Sequence, residues 1–211
     1  MIKIEKREEL KTKLRIIVPI ISILAGLIIG AIAILFAKVN PLIVYKSIIL
    51  GAFGSRYALT ETLVFTTPLI LLSVGLIMAY KMNFWNIGAF GQYILGAIFS
   101  SYFAIYGSPD LPRFFMISIM ILASLVGGAF WALIPAFLKA YWEVNEVIST
   151  LLLNYIAFNF LRYLMYGPWR DPTSHGFPLS KTFPINAQLP RLIPNSRVNI
   201  GLVFGIVAAI I

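Results

Sequence analysis

Charged residues gather in short clusters along this chain, and the stretches between them are long and apolar. Residues 16–37 run for 22 positions without a charge, 62–80 for 19, 87–106 for 20 and 114–138 for 25. Residues 147–161 add 15 more, and the apolar character continues past Arg162 to Tyr166. Crossing the ~30 Å hydrocarbon layer takes about 20 residues of helix, and each run reaches or approaches that length. Barrel strands would alternate polar and apolar positions, whereas these runs are apolar all round. The pattern therefore predicts an all-α polytopic transmembrane bundle of five full spans. A sixth run begins near Val198 and stops at Ile211, half a crossing later, so a partial sixth span and a longer parent protein are expected. The first run is too long for a signal-peptide core and is read as a retained helix.

Between the runs, the polar segments differ in kind. Residues 40–60 hold Pro41, a short apolar stretch over 42–50, then Gly51, Gly54 and Arg56, which predicts a short interfacial helix followed by a turn. Residues 167–199 contain six prolines and read as an ordered, extended loop with little helix. Residues 1–15 form a basic tail ahead of a membrane domain at 16–211. Its Lys3, Lys6, Arg7, Lys11, Lys13 and Arg15 place the N-terminus in the cytoplasm. The later loops do not repeat that bias, since eight cations then fall on each side. Alternation puts the Pro-rich loop outside. Trp85, Trp142 and Trp169 fall near predicted interfaces, as aromatic belts do.

Composition narrows the class further. Hydrophobic residues make up 60% of the chain and charged residues 12%, with a net charge of +9 and no cysteine. Mean hydropathy is +0.89. Disorder, a disulfide scaffold and a thiolate metal site are excluded. The positive charge reads as a topology signal, and no soluble basic face is left for nucleic acid. The lone His175 has no convergent partners and reads as a solvated loop residue. Neither a P-loop, a nucleophile elbow nor a zinc-protease helix is present, so an enzyme reading has no residues to stand on.

Polar residues inside the spans are few, which makes each informative. Asn86, Gly88, Gly91 and Gln92 cluster where the second long run turns into the third. An interrupted helix end with free amides would bind a polar neutral solute; helix packing with an N-cap at Asn86 explains the same residues. Glu146, Thr150 and Asn154 recur at four-residue steps and form one polar stripe on a helix, suited to interhelical contacts or to a solute path. Asn159 turns away from that stripe and reads as a separate interhelical hydrogen-bonder. Lys139, Trp142, Glu143, Asn145 and Glu146 lie in a polar segment between two spans, either a short helix docked on a cytosolic partner or an ordinary connection. Glu61 and Lys81 read as interfacial stops of their helix.

These clusters also carry a resemblance. Phe84-Trp85-Asn86-Ile87-Gly88-Ala89-Phe90-Gly91-Gln92 resembles the F-x-N-I-G-x-E-G-Q signature of ABC importer permeases for simple sugars and nucleosides, which belong with the branched-chain amino acid and ribose permeases. Val144-Asn145-Glu146-Val147-Ile148-Ser149-Thr150-Leu151-Leu152-Leu153-Asn154-Tyr155 is similar to their V-N-E-V-I-x-T-L-M-L-N-Y segment. Gly167-Pro168-Trp169-Arg170-Asp171-Pro172 and Leu189-Pro190-Arg191-Leu192 resemble the outer loop of nucleoside-type members. Asn40-Pro41, Gly51 to Ser55 and Glu61-Thr62-Leu63 fall in the same order. There are two departures: Phe90 stands where the family has Glu, and family members continue through further spans.

The resemblance implies a permease subunit in the plasma membrane that forms the path for a small neutral solute and does no chemistry itself. Asn86, Gly88, Gly91, Gln92, Thr150 and Asn154 would line that path. Lys139, Trp142, Glu143, Asn145 and Glu146 would couple it to separate ATP-binding cassette ATPase subunits, where ATP is consumed, so no cofactor of its own is expected. A second permease subunit and an extracytoplasmic solute-binding protein complete the set of partners. A stand-alone secondary transporter or channel would instead need ionisable groups deep in the spans. A non-transport scaffold subunit would bury the polar stripe wholly in helix contacts.

Overall fold

The computed structural model describes residues 12–175 and 177–210. The basic cluster expected to set the orientation falls on residues 1–11 and on the side chains of Lys13 and Arg15, outside what is described. Among the described residues the chain is all-helical, with two isolated β-bridges and no strand. It divides into two compact units, one up to Leu59 and one from Thr60 onward.

The first unit holds α1 (Thr12–Phe36), α2 (Pro41–Phe53) and the opening turn of α3 (Arg56–Lys81). Helix α1 starts four residues ahead of its apolar run. The expected short helix is α2: Asn40 caps it by accepting from the Leu42 amide at 2.9 Å, and Pro41 occupies the first helical position. The Tyr45 hydroxyl donates to the Leu27 carbonyl at 2.5 Å and ties α2 to α1.

The second unit holds the rest of α3, then α4 (Ala89–Tyr106), α5 (Arg113–Trp142), α6 (Glu146–Tyr166) and α7 (Gly201–Ile210). Helix α4 is its centre, packed on both α5 and α6. Glycines let α4 and α5 cross closely: a Cβ on Gly96 would stand 3.0 Å from the Ser124 carbonyl oxygen, and one on Gly127 would stand 2.8 Å from that of Leu95. Ile94, Leu95, Ile98, Ala157 and Trp169 form the main buried cluster, with Trp131 packed against it. Ala104, Met116 and Ala187 form a second cluster beneath the Pro-rich segment. That segment is extended as expected, with one short 3-10 turn at Ile185–Ala187. Gly201 of α7 comes close to Thr67, and Gly205 to Ile70, both on α3.

Among the described residues, four helices are long and apolar enough to cross a membrane: Ile16–Phe36, Arg56–Lys81, Arg113–Trp142 and Glu146–Tyr166. Their side chains face outward with little burial, as lipid permits and water does not. Helix α4 is not among the four, which differs from the expected span over 87–106. Its 18 residues include Gln92, Ser100, Ser101 and three tyrosines. The physical reason is its position, since Gly91, Ile94, Leu95, Gly96, Ile98 and Ala104 are buried against neighbouring elements. A shielded helix can carry polar side chains that a lipid-facing one cannot.

Candidate functional site

The site is built around the break between α3 and α4. Asn83 adopts a left-handed φ of 55°, and the Phe84 amide returns to the Ala79 carbonyl at 3.0 Å, which closes the C-terminus of α3. The chain then runs as a short strap to the start of α4. Asn86 is buried, and its Oδ1 accepts from the Gly88 amide at 2.9 Å. Its Nδ2 donates to Gln92 Oε1 at 3.2 Å. The two carboxamides are therefore paired across the first turn of α4.

Helix α6 grips this strap. Thr150 Oγ1 donates to the Glu146 carbonyl at 2.6 Å and accepts from the Ile87 amide at 3.2 Å. Asn154 donates to the Ile87 carbonyl at 2.9 Å, and its Oδ1 accepts from the Gly91 amide at 2.7 Å. The approach depends on glycine: a Cβ on Gly88 would lie 2.8 Å from Thr150 Cβ, and one on Gly91 would lie 2.8 Å from Asn154 Oδ1. The two polar clusters of the sequence are thus one assembly, although 63 residues separate Gly91 from Asn154.

The six expected path residues divide by what they face. Asn86 and Gln92 line a cleft of about 450 Å³ between α3, α4 and α5, together with Leu71, Leu72, Gly75, Gly128 and Ala132. No carboxylate, lysine, arginine or histidine lines this cleft. Thr150 and Asn154 turn to the backbone of the strap instead, and Gly88 and Gly91 are buried beneath them. A larger recess of about 800 Å³ opens between α4, α5 and α6, but its walls are almost wholly aromatic and aliphatic, including Phe99, Leu122 and Phe160. It offers little to a hydroxylated solute, which needs placed polar partners.

In the segment between α5 and α6, Lys139 and Trp142 complete the last turn of α5 rather than starting a separate helix. Glu143 ends α5 at a left-handed φ of 53°. Asn145 caps α6, accepting from the amides of Val147 at 2.9 Å and Ile148 at 3.2 Å. Lys139 Nζ pairs with Glu146 Oε2 at 2.6 Å and sits 5.8 Å from the centre of the Phe84 ring. One ammonium therefore joins the end of α5, the start of α6 and the strap. Tyr141 and Trp142 are exposed beside it.

Asn159 departs from its expected interhelical role: it is exposed and donates to Tyr155 of its own helix at 2.8 Å. His175 lies exposed in the Pro-rich segment. Phe90 is half exposed on the first turn of α4 and is not one of the residues lining the cleft. Two features escape a reading of the sequence. Trp131 buries its indole Nε1 without a partner, beside Gly91. Glu61, expected only as a helix stop, forms a two-pronged ion pair with Arg197, with Arg197 Nε 3.1 Å from Oε1. Nothing local in a sequence announces a partner 136 residues away.

Long apolar helices around one polar strap and cleft define a multi-pass membrane protein with a shielded polar interior. The chain belongs to the family described as branched-chain amino acid transport system / permease component, whose profile matches residues 58–211. It is 39% identical over 174 residues to a glucose ABC transporter permease of Haloferax volcanii, covering 82% of this chain and 45% of that protein. It is 34% identical over 204 residues to a nucleoside ABC transporter permease of Lactococcus lactis, covering 93% and 56%. A guanosine ABC transporter permease of Bacillus subtilis is 27% identical over 197 residues, with the same coverage of 93% and 56%. The chain spans about half the length of these curated relatives. No solved structure matches it.

Proposed function

We propose that this protein is the membrane-spanning permease subunit of an ATP-binding cassette importer and that the α3–α4–α5 cleft is part of its path for a small neutral solute, a nucleoside or a simple sugar. The observation that carries this reading is the cleft itself: its polar anchors are the paired carboxamides of Asn86 and Gln92, and no carboxylate, lysine or arginine lines it. Neutral amides both donate and accept, which suits hydroxyls and nucleobase edges. An ion-coupled carrier would place charged groups there. The relatives named as glucose, nucleoside and guanosine permeases support the same solute class. In this reading Asn86 and Gln92 touch solute, and Thr150 and Asn154 position them through the strap.

Helices α1, α3, α4, α5 and α6 make five crossings in this proposal, and α7 makes part of a sixth. The N-terminus is cytoplasmic, the bilayer is the plasma membrane, and the Pro-rich segment faces outward. ATP is spent by separate ATPase subunits, so the permease needs no cofactor. A second permease subunit completes the pathway, and an extracytoplasmic binding protein delivers solute. Lys139, Trp142, Glu143, Asn145 and Glu146 form the contact with the ATPase, supported by the exposed Tyr141 and Trp142 beside the Lys139–Glu146 pair. Transport requires two arrangements of the helices that ATP favours differently.

Uptake of radiolabelled guanosine and glucose by membrane vesicles holding the assembled transporter tests the path. Gln92→Ala is expected to cut uptake about tenfold or more while membrane insertion is unchanged, because a placed polar partner is lost. Full uptake by this variant would sink the assignment. A cysteine at Val144, which spares the Asn145 cap, is expected to crosslink to an ATPase subunit; failure at that position and at Trp142→Cys would refute the coupling contact.

A further inference from the structure

We infer that the cleft at Asn86 and Gln92 continues past Ser124 into a second, smaller polar station under the Pro-rich segment, and that Ala187 and Leu189 are its plug. This rests on the reading of the cleft as a solute path and extends it along the helices. The second station is a cavity of about 100 Å³ lined by Ser100 of α4, by Ile117, Met120, Ile121 and Ser124 of α5, and by Ala187 and Leu189 from above. Ser124 lines both spaces. Its hydroxyl donates to the Ile121 carbonyl at 2.8 Å, which leaves its lone pairs free to accept.

On α4 the three positions Gln92, Gly96 and Ser100 follow at four-residue steps and share one face. Gln92 lines the cleft and Ser100 lines the upper cavity. Gly96 sits between them, tight against the Ser124 carbonyl, with 3.0 Å to a built Cβ. The neck is therefore narrow in this arrangement, and it has hydroxyl or carboxamide groups at both ends. The upper cavity, about 100 Å³ against about 450 Å³ for the cleft, is the smaller of the two spaces. It is a station that must widen for passage.

The plug is latched. Asn186 Nδ2 donates to the carbonyl of Leu111 at 2.9 Å, with those of Pro109 at 3.1 Å and Ser108 at 3.3 Å around it. Arg113 Nε donates to the Gln188 carbonyl at 3.0 Å. Both bonds hold the 3-10 turn at Ile185–Ala187 against the α4–α5 connection and the start of α5, beside the cavity that Ser100 and Ala187 both line. Asn186 Oδ1 is buried there with no donor. The latched state thus leaves one acceptor unpaid, which lifting the turn into water would satisfy.

The chain has no cysteine, so single cysteines can report water access directly. Ser100→Cys, Ser124→Cys, Gln92→Cys and the lipid-facing Leu133→Cys are made in the assembled transporter in vesicles and treated with a charged methanethiosulfonate. Ser100→Cys and Ser124→Cys are expected to react at least about tenfold faster than Leu133→Cys, since a charged reagent avoids hydrocarbon. Asn186→Ala, or Arg113→Lys if the first disturbs the loop, is expected to speed Ser100→Cys further and to leave Gln92→Cys unchanged. If Gln92→Cys reacts while Ser100→Cys and Ser124→Cys match Leu133→Cys, the second station is overturned and the cleft stands. If all four are equally slow, the solute path itself fails. Equal Ser100→Cys rates with and without both latch variants would overturn the plug.

Discussion

Asn154 Oδ1 accepts a hydrogen bond from the Gly91 amide at 2.7 Å, while its Nδ2 donates to the Ile87 carbonyl at 2.9 Å. One side chain on α6 thus serves the donor and the acceptor that the break before α4 leaves open. A helix start normally leaves amides unsatisfied, and in a membrane interior water is not there to help. Asn154→Ala is expected to lower stability by roughly 1–3 kcal/mol, the cost of stranding shielded backbone groups. Thermal unfolding in mild detergent measures this; a midpoint unchanged from the parent would show that the bonds do not matter. Asn154→Gln should not restore it, because the longer side chain has no room against Gly91.

Gly91→Ala should separate α4 from α6. A Cβ there would stand 2.8 Å from Asn154 Oδ1 and 3.2 Å from Asn154 Cα, and the second of these atoms is backbone that cannot swing away. Overpacking of this kind costs about 1–3 kcal/mol. Gly75→Ala provides the contrast on the cleft wall, since nothing lies within 4 Å of its Cβ position. That variant should be neutral or gain roughly 0.5–1 kcal/mol, what an alanine adds over glycine within a helix. Equal yields of folded protein from both variants would contradict the close approach at Gly91.

The Glu61–Arg197 pair fastens the residues leading into α7 to the start of α3. Gly201 then lies near Thr67, with 3.6 Å from its Cβ position to Thr67 Cγ2. Cysteines at both positions should crosslink readily under mild oxidation. Glu61→Arg should reduce the yield by placing like charges together, and Glu61→Arg with Arg197→Glu should recover it. A yield indifferent to both would mean that α7 is seated by its glycines alone.

Asp171 orders the turn that follows Trp169. Hydrogen bonds from the Thr173 hydroxyl at 2.7 Å and amide at 2.8 Å hold its carboxyl below the ordinary value of 3.8, with Lys181 adding a smaller attraction. A carboxyl lowered in the folded state lends order above its ordinary pKa and loses it as pH falls through the lowered value. The turn should therefore stay intact down to pH 3.8 and loosen below it. A fluorophore on Phe177→Cys should gain mobility only in that acidic range, and Asp171→Asn should remove the step. A step near neutrality would assign it to another group.

The sequence reading succeeds where the physics is local. Long uncharged runs find α1, α3, α5 and α6 because lipid-facing helices must be apolar. Asn40-Pro41 marks α2 because both residues act within one turn. The run at 87–106 becomes α4, Ala89–Tyr106, but the shielding of this helix by its neighbours is something composition cannot display. The polar residues around Asn86 and Asn154 stand out for their rarity, but their convergence depends on how α6 packs, and no four-residue step encodes that. Sequence assigns Thr150 and Asn154 to the path on chemistry alone; the structure shows both hydrogen-bonded to the strap. Trp131 is hidden in an apolar run, and its buried indole nitrogen becomes visible only once Gly91 has a neighbour.

The grip of α6 on the strap has a mechanical consequence. Its bonds to Ile87 and Gly91, reinforced by Lys139 between Glu146 and Phe84, leave little slack between that helix and the two carboxamides. A small turn of α6 about its axis would swing Asn86 and Gln92 with it, as a key moves a bolt. A force applied at the exposed α5–α6 corner would then pass through the strap to the cleft.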